Sequence, residues 1–232
     1  MSPVECSTCD VQGTALCSAF SEADRAALNA ISRHKTYEKG STVMWAGDEA
    51  IVCGSVISGI LKLSASASDG RKQIFGLLYP ADFVGQPHAG QMPFSVTALT
   101  DCHLCLYPRA AFEDVLENNI AVERLLLRRT MAALDEARAR MLLLARGTSE
   151  EKLACFLIEM ADRAGGTTTT GQSVMLELPL SRGQIADLLG LTIETVSRQM
   201  THFKSDGLID LPGGRMLIIR NRAVLKARAM LD

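Results

Sequence analysis

Gln184-Ile-Ala-Asp-Leu-Leu-Gly-Leu-Thr-Ile-Glu-Thr-Val-Ser-Arg198 decides the fold of the last third of the chain, because it reads as two short helices joined by a tight turn. Ser181 followed three residues later by Gln184 forms a capping box, and Ile185, Leu188 and Leu189 give the first helix an apolar face. Gly190 supplies the bend. Thr192 caps the second helix, on which Val196, Met200 and Phe203 face inward while Glu194, Thr195, Ser197 and Arg198 face outward. An exposed row of this kind fits a DNA major groove: an Arg gives two hydrogen bonds to guanine, a Glu accepts from cytosine, Ser or Thr serves either, and Ile193 meets a thymine methyl. A structural hairpin with a solvated charged face is the plainer reading. It does not need the small Ala186, the turn Gly190 and the buried Val196 at these spacings.

Working outward, residues 208–211 and 216–220 are short apolar strands separated by Pro212-Gly213-Gly214, a hairpin wing. From Pro179 to the end there are eight Lys and Arg against five Asp and Glu, a local charge of +3, so the remainder carries −5 of the total of −2. Phosphate affinity follows local basic groups, so the slightly acidic whole does not oppose DNA binding. Arg182, at the start of the first helix, joins Thr192, Ile193, Glu194, Thr195, Ser197 and Arg198 in the expected DNA-contact set.

With 232 residues, 47% of them hydrophobic, the chain is expected to bury a sizeable core in two domains. No apolar run approaches the roughly 20 residues needed to cross a bilayer, and the first residues lack a basic segment ahead of a greasy one, so a cytoplasmic protein with no membrane partner is expected. No nucleophile-base-orienter constellation, Walker loop or dinucleotide fingerprint is present, which argues against an enzyme. Over residues 41–107 short apolar runs are broken at even intervals by Gly47-Asp48, Gly54, Gly59, Asp69-Gly70, Pro80-Ala81-Asp82 and Thr100-Asp101, the pattern of a β-barrel or roll. Asp69-Gly70 predicts a two-residue hairpin turn between residues 60–67 and 72–79. Residues 21–33 look helical, and residues 165–171, with four consecutive Thr, read as a surface loop.

After Pro108 the chain turns helical, pauses at Asn118-Asn119 and resumes over residues 120–145, roughly 39 Å at helical rise. Ile120, Leu127, Met131, Leu134, Met141 and Ala145 recur at heptad-like spacing, and Val122, Leu126, Ala133 and Leu144 form a second stripe. One stripe can pack on the β-roll and the other on a second copy of the chain. The expected seam is Leu127, Met131, Leu134, Asp135, Arg138, Met141 and Leu142, with Arg138 facing its own copy and Asp135 offsetting it; a single broad face buried within one subunit is the alternative. Gly147 ends this helix, and Thr148 with Glu151 is another capping box. Four segments follow: residues 1–20, cysteine-rich; 21–118, a β-roll; 119–146, the long helix; and 147–232, a winged helix-turn-helix.

Seven cysteines in a cytosolic chain point to metal ligation, redox chemistry or burial rather than to disulfides. Cys6 and Cys9 are two residues apart, Cys17 follows after seven more, and Cys105 stands in Leu104-Cys105-Leu-Tyr-Pro108. From the residues alone, zinc, a thiol redox switch and an inorganic cluster all stay open. Cys53, in a strand, and Cys155, in an apolar helix, read as buried hydrophobes. The histidines His34, His88, His103 and His202 sit singly in the sequence.

A β-roll, a long helix and a C-terminal winged helix-turn-helix, in that order, resemble the cyclic-AMP-receptor superfamily of bacterial transcription regulators, an α+β fold, over nearly the whole chain. Thr192-Ile-Glu-Thr-Val-Ser-Arg198 is similar to the recognition helix of the fumarate-and-nitrate-reduction regulator (FNR) branch, which carries Glu-x-x-Ser-Arg. The resemblance implies a homodimer that binds palindromes of TTGAT half-sites, read by Glu194, Ser197 and Arg198, and works with RNA polymerase. It also implies a [4Fe-4S] cluster on Cys6, Cys9, Cys17 and Cys105, oxygen-dependent pairing of subunits, and control of anaerobic or microaerobic genes. The second-to-third ligand spacing is seven residues where five is usual, and Cys105, three residues before Pro108, matches the central ligand better than Cys102. Cyclic-nucleotide receptors carry Gly-Glu and then Arg-Ser or Arg-Thr where this chain has Gly85-Gln86-Pro87 and Pro93-Phe94-Ser95, which predicts no cyclic-nucleotide binding. The competing expectation is a regulator of the same superfamily switched by a small molecule, haem or thiol oxidation without a cluster.

Overall fold

The computed structural model describes residues 9–66, 72–163, 167–168 and 173–229. Two compact units divide the chain, residues 1–134 and 135–232, with the division falling inside the long helix.

In the first unit a 3-10 turn, Leu16–Ala19, precedes helix α1, Glu22–Ile31, which Ser21 caps by accepting from the Asp24 N–H at 3.2 Å. Eight strands follow: β1 Arg33–Tyr37, β2 Thr42–Met44, β3 Val52–Ser58, β4 Leu61–Ser66, β5 Lys72–Leu78, β6 Phe83–Val84, β7 Ser95–Ala98 and β8 Cys102–Pro108. They make two four-stranded antiparallel sheets, ordered β1-β8-β3-β6 and β2-β7-β4-β5. Met44, Val56, Leu61, Val84, Val96, Ala98, Leu104 and Leu106, drawn from both sheets, close one core between them. The expected roll is present, and it starts earlier than residue 41. Helix α1 stops at Ile31, and β1 occupies the polar-looking Arg33–Tyr37, an edge strand whose exposed positions hide the alternation on which strand reading relies. Asp69-Gly70 lies outside the described residues; its flanking strands pair as antiparallel neighbours with Ser66 opposite Lys72.

Helix α2, Arg109–Asn118, buries Phe112 and Leu116, and Asn119 ends it and starts the next by accepting from the Val122 N–H at 3.3 Å. Helix α3, Ile120–Arg146, has a split character. Val122 is fully buried, and Leu125 and Leu126 pack with it on the cluster of Leu16, Phe20, Leu28, Tyr107 and Phe112. Ile120, Leu127, Met131, Leu134, Met141, Leu142 and Leu144 stay exposed. The second expected stripe holds only in its first turns, because Ala133 and Leu144 are exposed as well.

The second unit adds α4 Ser149–Arg163, β9 Thr167–Thr168, β10 Val174–Glu177, α5 Arg182–Leu189, α6 Ile193–Ser205, β11 Ile209–Gly213, β12 Met216–Ile219 and α7 Arg222–Arg228. Thr148 caps α4 reciprocally with Glu151, at 3.2 and 2.6 Å. The wing, β11 with β12, belongs to a sheet of order β11-β12-β10-β9. Strands β9 and β10 were not expected: Thr167 and Thr168, assigned to the loop over 165–171, pair with β10, and the rest of that loop lies outside the described residues. No described helix is long and apolar enough to cross a membrane.

Candidate DNA interface and cysteine centre

The helix-turn-helix forms because each end is capped by its own neighbours. Ser181 Oγ accepts from the Gln184 N–H at 3.2 Å while Gln184 Oε1 accepts from the Ser181 N–H at 2.9 Å, so two otherwise orphaned donors at the start of α5 are satisfied reciprocally. Gly190 closes α5 in the left-handed region (φ 61°), where a side chain would be strained. Thr192 Oγ1 accepts from the Thr195 N–H at 3.2 Å and fixes the start of α6. Ile185, Leu188 and Leu189 of α5 are buried, as are Val196, Met200 and Phe203 of α6.

That packing leaves Thr192, Ile193, Glu194, Ser197 and Arg198 exposed along one side of α6, with Thr195 half-buried by its capping role. Arg198 has no ion pair among the described residues. Three other arginines of the second unit are in ion pairs: Arg220 with Asp210 at 2.6 Å, Arg222 with Asp162, and Arg228 with Glu150 and Asp206. Arg182 differs from expectation in being half-buried. Its Nη1 is enclosed without a hydrogen-bond partner, and burial lowers its pKa from the ordinary value.

In the first unit, strand alternation separates the two candidate cysteines of β8. Cys102 points into the roll core with Leu104 and Leu106; its thiol donates to the carbonyls of Thr100 at 3.2 Å and Ile60 at 3.4 Å, and burial pushes its pKa up. Cys105, three residues on, faces the opposite side. There Val11, Ala15 and Ile57 form a small apolar cluster against which Cys9, Cys17, Cys105 and Ala81 all pack. Consecutive turns over the segment, Gln12 N–H to Cys9 O at 3.0 Å and Ala15 N–H to Val11 O at 2.7 Å, coil the seven residues between Cys9 and Cys17 so that both ends return to this cluster. Cys6 lies outside the described residues. Cys53 and Cys155 are buried, and burial raises their thiol pKa values to about 12 and about 11.

Two features sequence reading missed surround this centre. The first is Arg129 of α3, whose guanidinium donates to the carbonyl of Ala81 at 3.1 Å and to that of Thr14, between Cys9 and Cys17. It ties the cysteine loop to the long helix. The second is a group of polar atoms. Tyr107 and Ser55 are 1% and 2% exposed, yet Tyr107 OH and Ser55 Oγ make no hydrogen bond of normal geometry with any described group, although Ser55 lies near enough to favour tyrosine ionisation slightly. Burial, with Cys53, Cys17 and Cys105 close by, raises the Tyr107 pKa well above the ordinary value. The histidines are not all single: His34 Nδ1 and His103 Nε2 meet at 3.2 Å across β1 and β8, and His34 Nε2 is buried without a partner.

Three soft sulfur donors against one apolar cluster are the kind of ligand that a sulfur-bridged iron cluster, held by four thiolates, would take. Among the described residues no group of three His, Cys, Asp or Glu side chains could hold a single metal ion. A cluster would take thiolates alone, and Cys9, Cys17 and Cys105 are of that kind. The donor set therefore fits the group.

The cyclic nucleotide-binding domain family matches residues 34–119 and the Crp-like helix-turn-helix domain family matches residues 151–228. The chain is 39% identical over 226 residues to the transcriptional activator protein FnrL of Cereibacter sphaeroides, covering 97% of this chain and 91% of that protein. It is 33% identical to the nitrogen fixation regulation protein FixK of Bradyrhizobium diazoefficiens, covering 92% of this chain and 90% of that one. Among solved structures, FixK2 from Bradyrhizobium japonicum superposes with a TM-score of 0.78 at 31% identity, over 87% of this chain and 99% of that chain.

Proposed function

Since the chain belongs to the FNR branch of the cyclic-AMP-receptor family and is a DNA-binding transcription regulator, we propose that it senses oxygen through a [4Fe-4S] cluster on Cys6, Cys9, Cys17 and Cys105. The observation that carries this reading is the return of Cys9, Cys17 and Cys105, far apart in sequence, to one apolar cluster. When bound, such a cluster supplies an oxygen-labile crosslink between the N-terminal segment and β8. The rest is done by the chain itself. Cys9 and Cys17 bracket the coil over residues 10–16, Val11 and Ala15 seat that coil on Ile57, and Arg129 grips its Thr14 carbonyl. A displaced coil removes an Arg129 partner, so the cysteine segment and the first part of α3 move together.

The exposed face of α3 is the surface that a second copy covers. Leu127, Met131, Leu134, Met141 and Leu142 are each at least 40% exposed, and burying one such side chain fully is worth about 1.5–3 kcal/mol. A swing from 99:1 to 1:99 needs only about 5.5 kcal/mol, so the loss of a few contacts empties the dimer. Asp135 and Arg138 pair along the helix at 3.2 Å, both exposed, which blunts the repulsion expected between Arg138 and its copy. Pairing sets two α6 helices on adjacent half-sites, where Glu194, Ser197 and Arg198 read TTGAT and the bound dimer engages RNA polymerase. Cyclic nucleotides are not the signal, because Gln86 and Pro87 stand where a ribose-binding carboxylate is needed.

The test is anaerobic iron and sulfide analysis with gel shifts on a TTGAT palindrome before and after aeration. About four irons per chain, and binding lost in air, are expected. Cys105→Ser should abolish the oxygen response and Cys53→Ser should not. Protein without iron that nevertheless loses its operator on oxidation would assign the switch to thiols instead.

A further inference from the structure

Cys105 sits at the centre of a three-strand platform. In the β1-β8 ladder its direct partner is His34, and in the β3-β8 ladder it is Ser55; Tyr107, two residues along β8, shares its face and stands opposite Cys53. Side chains directly opposite in an antiparallel pair have Cβ atoms roughly 4.5–5.5 Å apart, so His34 and Ser55 flank Cys105 on either side. These three neighbours own all of the buried, unpartnered side-chain polar atoms of the first unit among the described residues: His34 Nε2, Ser55 Oγ and Tyr107 OH. Buried polar groups are nearly always paired, and although the Ser55 and Tyr107 hydroxyls lean on each other, that pair together with His34 Nε2 calls for a further acceptor beside the Cys105 sulfur.

We propose that His34, Ser55 and Tyr107 form an outer hydrogen-bonding shell that donates from Nε2–H, Oγ–H and O–H to the Cys105 sulfur and to the sulfur-rich group seated on it. The His34–His103 contact admits the required tautomer: with His103 Nε2–H donating to His34 Nδ1, the His34 proton resides on Nε2. The tyrosine is held in place by its ring neighbours, Phe112 at 5.1 Å between centroids and buried Cys53, so its hydroxyl cannot turn to solvent. Hydrogen bonds to cluster sulfurs favour the more reduced, more negatively charged state and tune its potential. The shell would set how readily air attacks the centre without supplying any ligand.

The inference rests on the cysteine reading above, and the experiment separates the two. Wild-type protein, Tyr107→Phe and Ser55→Ala are purified anaerobically and compared for bound iron, for Fe–S stretching frequencies by resonance Raman, and for bleaching in air-saturated buffer. Both substitutions remove one hydroxyl and keep the packing atoms, and Ser55→Ala carries the test if Tyr107→Phe does not fold. Expected are full iron loading, shifted Fe–S stretches, and bleaching about three- to tenfold faster, the factor that one ordinary net hydrogen bond supplies. Wild type devoid of iron overturns the cysteine reading. Iron-loaded variants with unshifted stretches and unchanged bleaching overturn the shell alone.

Discussion

Replacing Leu127 with Ala tests the α3 seam. The side chain is 60% exposed in the single chain, so about three-fifths of its surface remains to be buried by a partner. Full burial of a Leu is worth about 2 kcal/mol, which leaves about 1.2 kcal/mol per copy and, because a two-fold seam counts each residue twice, about 2.4 kcal/mol per dimer. At 1.4 kcal/mol per tenfold, the dimer dissociation constant rises about fiftyfold. Ala is as good a helix former as Leu, so the helix itself is not weakened. Sedimentation equilibrium of anaerobic protein measures the constant, and thermal melting at dilutions where the chain is monomeric should show almost no change. An unaltered constant together with a lower monomer melting point would refute the argument. It would mean that this face packs within one subunit.

Arg198→Ala should weaken binding to a TTGAT palindrome by about 1–3 kcal/mol per half-site and relax discrimination at the matching guanine, as read by competition gel shifts with single-base variants. Ser181→Ala removes one arm of the capping box and should cost about 1 kcal/mol in the second unit, visible as a fall of several degrees in its unfolding midpoint with little change at the β-roll. Cys155, whose thiol donates to the Ala229 carbonyl at 3.2 Å, ionises near 11 in the folded chain instead of 9.0, chiefly through burial. The folded state holds that proton longer than the unfolded state, so stability falls as pH climbs above about 9, and Cys155→Ala should flatten that fall in urea titrations at pH 8 to 10. Arg129→Leu should leave iron content intact but weaken dimerisation, since it frees the Thr14 and Ala81 carbonyls from α3.

The helix-turn-helix was legible almost residue by residue. Ser181 with Gln184, Gly190, and Thr192 with Thr195 act across three or four positions, so the chain that spells them also satisfies them. The exposed stripe of α3 was visible for the same reason, since helical neighbours are sequence neighbours at fixed spacing. Edge strand β1 was not, because few of its side chains are buried, and β9 is two residues long, too short for alternation to show.

By itself, the sequence determined the order of roll, long helix and winged helix-turn-helix and the row from Thr192 to Arg198. Only the tertiary structure decided that Cys102 enters the core while Cys105 faces Cys9 and Cys17, that Arg129 reaches back to Thr14, and that His34 and Ser55 stand opposite Cys105 in the two ladders of β8. The reason is range. Caps and helical stripes are fixed by contacts within a turn, whereas the pairing of His34 and Ser55 with Cys105 spans 71 and 50 positions and depends on strand register, which is set when both sheets bury their faces together and a one-residue slip would turn every side chain over.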